Sequence, residues 1–141
     1  MRLAPLRVLM VEDSPADRRL FQLECANRFP FRLDTVADGE RALAVLAAES
    51  EPFDLILLDL NLPKVHGFEV LAATRESTTH RCCPVVILTS SGSADDVVRA
   101  YDLGASCFIQ KPTDLERYTE MCTAMLEFWT QIVILPRGRV A

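Results

Sequence analysis

The chain has 141 residues, half of them hydrophobic and a quarter charged, which suits one folded domain with a full core and excludes global disorder. Its net charge of −5, with no basic stripe, argues against sequence-independent nucleic-acid binding. No apolar run approaches the roughly 20 residues of a membrane span, and the first aliphatic run stops at two acids, too soon for a signal peptide; a soluble cytoplasmic protein is expected.

The first predicted strand, residues 7–11, runs directly into Glu12 and Asp13. Ser14-Pro15-Ala16-Asp17 then starts a helix: Ser caps, Pro fits the first helical position and Asp suits the first turn. A second strand is expected at residues 32–36. Asp38-Gly39 opens a helix with Ala42, Leu43, Val45 and Leu46 on one face. The third strand, residues 55–59, ends on Asp59, and Gly67 precedes a helix through Arg75. A fourth strand covers residues 85–89. Ser93 with Asp96 forms a capping pair, and Gly104 ends that helix in the left-handed conformation. The fifth strand is residues 107–110. Thr113 with Glu116 reads as a capping box for a last helix that ends near Thr130 and keeps Leu115, Tyr118, Met121, Cys122, Met125 and Trp129 at helical spacing.

Strands alternating with helices predict an α/β fold: a doubly wound, five-stranded parallel sheet with helices on both faces, flavodoxin-like in architecture. Ligands of such sheets sit at the carboxyl ends of the strands. Glu12, Asp13, Asp59, Thr89 and Lys111 all fall there. Three adjacent carboxylates repel one another and ask for a hard divalent cation such as Mg²⁺. The Asn61 carbonyl could complete the protein's share of its ligands. A lysine and a hydroxyl beside one carboxylate suit an anion attached to it, as in aspartyl-phosphate chemistry. Five cysteines form no repeated spacing, and His66 and His80 stand apart; the expectation is small buried hydrophobes and non-ligands.

Glu12-Asp13, Asp59 in "LLDLNLPKVHG", Thr89 in "VVILTSS" and Lys111-Pro112 in "GASCFIQKP" resemble the receiver domain of two-component response regulators over residues 6–128. The resemblance implies Asp59 as phosphoacceptor for a histidine kinase and Glu12, Asp13, Asp59 and Asn61 around Mg²⁺. It implies Thr89 and Lys111 on the phosphoryl group, Thr89 and Phe108 as a switch, and a cis bond before Pro112. Output would leave through the face of helix 4, strand 5 and helix 5. The chain would catalyse only its own phosphorylation and dephosphorylation. Alternatives are a phosphorelay intermediate and a phosphorylation-independent interaction module.

Residues 131–141 form an apolar extension after the receiver of residues 1–130, too short for a DNA-binding domain. Trp129, Ile132, Val133, Ile134 and Leu135 are expected to form a dimer arm, since a bare β-branched run is an aggregation hazard. The tail and "NLPKVHG" resemble response regulators that pair with bacterial phytochrome-type histidine kinases.

Overall fold

The computed structural model describes residues 5–25, 30–48 and 50–136. In chain order the elements are β1 (Leu6–Val11), α1 (Pro15–Cys25), β2 (Phe31–Val36), α2 (Gly39–Ala47), β3 (Leu55–Leu58), α3 (Gly67–Glu76), β4 (Val85–Thr89), α4 (Ala94–Asp102), β5 (Cys107–Gln110) and α5 (Leu115–Glu127), followed by a π-helical turn over Phe128–Ile132. All neighbouring strands pair in parallel, in the order β2-β1-β3-β4-β5. The predicted doubly wound sheet is the one observed.

Period-two alternation sends the strand residues to two cores. Leu9, Val11, Ile56, Leu58, Val85 and Ile87 pack with Ala42, Leu46, Leu71 and Ala100, so α2, α3 and α4 cover one face. Val8, Met10, Leu55, Leu57 and Val86 pack with Phe21, Tyr118, Cys122 and Leu126, so α1 and α5 cover the other. Every residue of β3 is fully or almost fully buried, which explains its unbroken aliphatic run. Each such side chain contributes about 1.5–3 kcal/mol by leaving water.

Local chemistry sets the element ends. Pro15 is the first helical residue of α1, and Ser14 Oγ accepts the Asp17 N–H at 3.2 Å. Asp38 Oδ1 accepts the Arg41 N–H at 2.8 Å, and Ser93 Oγ accepts the Asp96 N–H at 3.1 Å. Gly104, at φ 99°, closes α4 in the left-handed region. The cap of α5 differs from expectation: Asp114, not Thr113, accepts the Glu116 N–H, at 3.0 Å. The chain takes one more residue to leave β5, and a carboxylate also complements the positive end of the helix. Leu115, at the first helical position, is therefore 63% exposed rather than core.

Pro112 is a second correction. Its bond to Lys111 is trans, and no cis bond occurs among the described residues. Trans is the default by about 0.5–1 kcal/mol unless packing overrides it; here the Lys111 N–H bonds Thr89 O at 2.8 Å and its ammonium reaches the sheet rim without a cis bond.

His66 caps α3, its Nδ1 accepting the Phe68 N–H at 3.1 Å, and buried His80 accepts the Phe53 N–H on Nε2 at 3.1 Å. Cys83 and Cys122 are buried and Cys107 half-buried, but Cys82 is exposed, against expectation. It sits in the loop ahead of β4, where no core covers it. The side chain of Cys25 lies outside those described.

As far as Leu135 the extension stays on the domain. Trp129 is 9% exposed inside the α1/α5 core, and Val133 and Leu135 pack against the same core. Ile132 and Ile134 face outward, 66% and 96% exposed. Residues 137–141 lie outside the described residues.

Candidate functional site

Because all strands run one way, the ends of β1, β3, β4 and β5 share one rim. That rim holds Glu12, Asp13, Asp59, Thr89 and Lys111. Carboxylate oxygens of Glu12, Asp13 and Asp59 lie within 4.8 Å of one another, with Glu12 and Asp59 buried and Asp13 exposed. Asp59 follows β3, its N–H bonded to Val11 O at 3.0 Å. Its Oδ1 accepts the Asn61 N–H at 3.3 Å, and its Oδ2 lies 3.5 Å from Lys111 Nζ. The loop beyond it must come close: a Cβ on Gly67 would meet Asp59 O at 2.5 Å and Leu60 Cα at 2.6 Å, so only glycine lets α3 begin there.

Glu12 Oε2 accepts the Ser14 N–H at 3.1 Å, and Oε1 accepts from Lys111 Nζ. Burial lifts the Glu12 carboxyl to about 7; the Asp59 charge adds to this and the Lys111 bond opposes it. Burial also disfavours the Lys111 ammonium, but its bonds to Asp17 and Glu12 outweigh that and leave it above its ordinary value. Three oxygen donors from carboxylates, one of them exposed, fit a hard divalent cation that keeps several waters. Thr89 is buried at the end of β4, its Oγ1 3.4 Å from Ser91 Oγ. Ser91 in turn accepts the Asn61 amide at 2.7 Å, which ties the loops after β3 and β4 across the rim. Phe108 lies in β5, half-buried against the α2–α4 core, and its N–H donates to the Tyr101 hydroxyl at 3.1 Å.

Sequence reasoning overlooked Asp17. Its Oδ2 takes a second Lys111 N–H at 2.8 Å. A usable signal was present: side chains in a first helical turn lean back towards the N-terminus, here towards the end of β1.

The sequence of residues 8–123 matches the response regulator receiver domain. The chain belongs to the response regulator receiver domain family. Response regulator Rcp1 of Synechocystis sp. (strain PCC 6803) is 38% identical over 138 residues, covering 94% of each chain. The crystal structure of the phosphorylated cyanobacterial phytochrome response regulator RcpA is 40% identical, with a TM-score of 0.89 over 94% of this chain and 99% of that one. The Mn²⁺-bound form of Rcp1 superimposes with a TM-score of 0.88 at 39% identity, over 94% of this chain and 99% of that one. This response regulator is thus a receiver of phosphorelay signalling with five parallel strands, and no helix among its described residues is long and apolar enough to cross a membrane.

Proposed function

We propose that Asp59 accepts a phosphoryl group from the phosphohistidine of a histidine kinase, in a reaction that requires Mg²⁺. One observation carries this reading: a lysine from the end of β5 sits 3.5 Å from the Asp59 carboxylate, inside a nest of acids that no structural need explains. Glu12, Asp13, Asp59 and the Asn61 carbonyl would hold the cation. When bound, it supplies positive charge against the oxygens of the transferred group. An Asp59 oxygen forms the new O–P bond as the N–P bond of the donor breaks and its imidazole leaves. Lys111 offers an N–H to the incoming phosphoryl oxygens, and the Thr89 hydroxyl offers another.

The phosphorylated aspartate carries about one more negative charge. Thr89 turns towards it, Phe108 follows into the space released, and the Tyr101–Phe108 contact carries the change to the α4–β5–α5 face. The chain catalyses no reaction on a small substrate other than its own loading and unloading. Its likeness to Rcp1 and to the phytochrome response regulator RcpA supports a bacterial phytochrome-type kinase as donor. Exposed Ile132 and Ile134, backed by inward Trp129, Val133 and Leu135, support a homodimer formed through the extension; light-scattering mass at tens of micromolar tests it, and a monomer rejects it.

Incubation with labelled acetyl phosphate and Mg²⁺ tests the central step. Label on the wild type that vanishes in Asp59→Asn supports it. Equal label on Asp59→Asn assigns the phosphate elsewhere.

A further inference from the structure

A lysine ammonium has three N–H donors. In this site Glu12 Oε1 takes one and Asp17 Oδ2 a second, at 2.8 Å, while Asp59 Oδ2 stands off at 3.5 Å. The Lys111 side chain is only 8% exposed, so these acids, not water, decide where the ammonium points. Asp17 is not in the carboxylate cluster that could hold a cation; that group is Glu12, Asp13 and Asp59. It stands on a different element and is itself fixed. Its N–H is bonded to Ser14 Oγ at 3.2 Å, and the neighbouring Arg18 guanidinium holds Glu12 O at 2.6 Å, pinning the first turn of α1 to the end of β1.

We infer that Asp17 is a positioning residue for phosphoryl transfer, holding the Lys111 ammonium from the α1 side so that its third N–H is aimed at Asp59. The role rests on the proposed phosphoacceptor reading of Asp59. Lysine is a flexible stem with a point charge, so without a fixed partner its head samples several positions among the carboxylates around it. A second anchor converts that search into one orientation, and orientation is where such a site gains rate. Asp17 touches neither phosphate nor cation; it acts through Lys111.

Two readouts test this together. Phosphorylation by acetyl phosphate at saturating Mg²⁺ is followed in the wild type, Asp17→Asn, Asp17→Glu, Lys111→Met and the double variant Asp17→Asn/Lys111→Met. Asp17→Asn should slow loading about tenfold, Asp17→Glu should recover most of it, and Asp17→Asn should cost nothing further once Lys111 is methionine. In metal-free protein, ¹⁵N spectra of lysine ammonium groups should show a protected Lys111 signal that Asp17→Asn removes by fast exchange with water, the backbone spectrum being otherwise retained. Equal losses from Asp17→Asn in both Lys111 backgrounds, or an ammonium signal indifferent to Asp17, overturn the inference. Label that persists on Asp59→Asn would instead reject the phosphoacceptor reading, whatever Asp17 does.

Discussion

Two cations lie partly buried at opposite ends of this sheet, and their surroundings could hardly differ more. At the carboxyl rim Lys111 is ringed by Glu12, Asp17 and Asp59, an excess of negative charge. At the amino ends of β4 and β5, Arg75 has carbonyls instead. Its Nε and Nη2 donate to Gly104 O at 2.9 and 2.6 Å, and its Nη1 to Cys83 O at 2.7 Å and Arg81 O at 3.2 Å. A rigid fork of five donors satisfies carbonyls from two loops at once, and neutral acceptors leave the charge nothing to react with. Arg75 ties α3 to the turns before β4 and β5; it is a staple. Lys111 is held by groups that would themselves rather be paired with something else. Surplus charge of one sign around a buried ion marks the end of the sheet that works, and balanced neutral bonding marks the end that merely holds.

The comparison breaks first on activity. Lys111→Met should lower phosphorylation by acetyl phosphate at least 100-fold, in line with the removal of one preorganised donor, while Arg75→Met should leave the rate per folded molecule unchanged. Denaturant melts should show the reverse ranking: Arg75→Met loses about 2–3 kcal/mol as the carbonyls of Gly104 and Cys83 are stranded. A normal melt for Arg75→Met would mean that water replaces the guanidinium at no cost.

The acidic end can be sharpened by pH. Without a cation the Glu12 carboxyl titrates at about 7, raised chiefly by burial. Below that pH a divalent cation must displace a proton; above it the carboxylate is already free. Mg²⁺ affinity should therefore rise about fivefold from pH 6 to 7 and about tenfold from pH 6 to a plateau above 8, with about one proton released per ion at the low end. Calorimetry in buffers of different ionisation enthalpy measures this, and Glu12→Gln should abolish the slope.

The smallest effect lies near the other end. Burial, then the Arg7 charge, holds the His80 imidazole below its ordinary value of 6.5. The unfolded chain takes up a proton that the folded one resists, so this contribution is complete above pH 6.5 and is lost as pH falls through the folded value. As pH falls from 7 to 5.5 the thermal midpoint of His80→Gln, whose amide oxygen can still accept the Phe53 N–H, should rise relative to that of the wild type, the opposite contribution of Glu12 cancelling in the difference.

The central strands β1, β3 and β4 were legible because each is an aliphatic run buried on both faces, the half-buried edge strands β2 and β5 because short apolar stretches alternate with the helices, and the rim because the buried runs stop on polar residues that nothing in a core requires. Ser14, Asp38, Ser93 and Gly104 could be read at once, since caps depend on a few neighbouring atoms. Asp114 could not be separated from Thr113, because both residue types cap well and one residue of linker length decides. Arg75 was opaque for another reason, and for Asp17 the lean of its helical turn gave a direction but no partner. Their partners are distant in sequence, 29 residues for Gly104 and 94 for Lys111, and no local period announces such a bond. The tail misled in part: its run of β-branched residues signals burial without saying whose surface does the burying, and Trp129, Val133 and Leu135 find it on their own domain.

That tail has a consequence for its own tolerance of length change. After the π-helical turn, Val133 and Leu135 look in while Ile132 and Ile134 look out. An extended chain keeps such a two-beat rhythm by counting residues, not by recognising them. Deleting Val133 alone would advance every later side chain by one beat, seating Ile134 against the domain and turning Leu135 to solvent. Composition would barely alter, yet the outer ridge would be made of different residues, so an insertion or deletion of two should be tolerated where one is not.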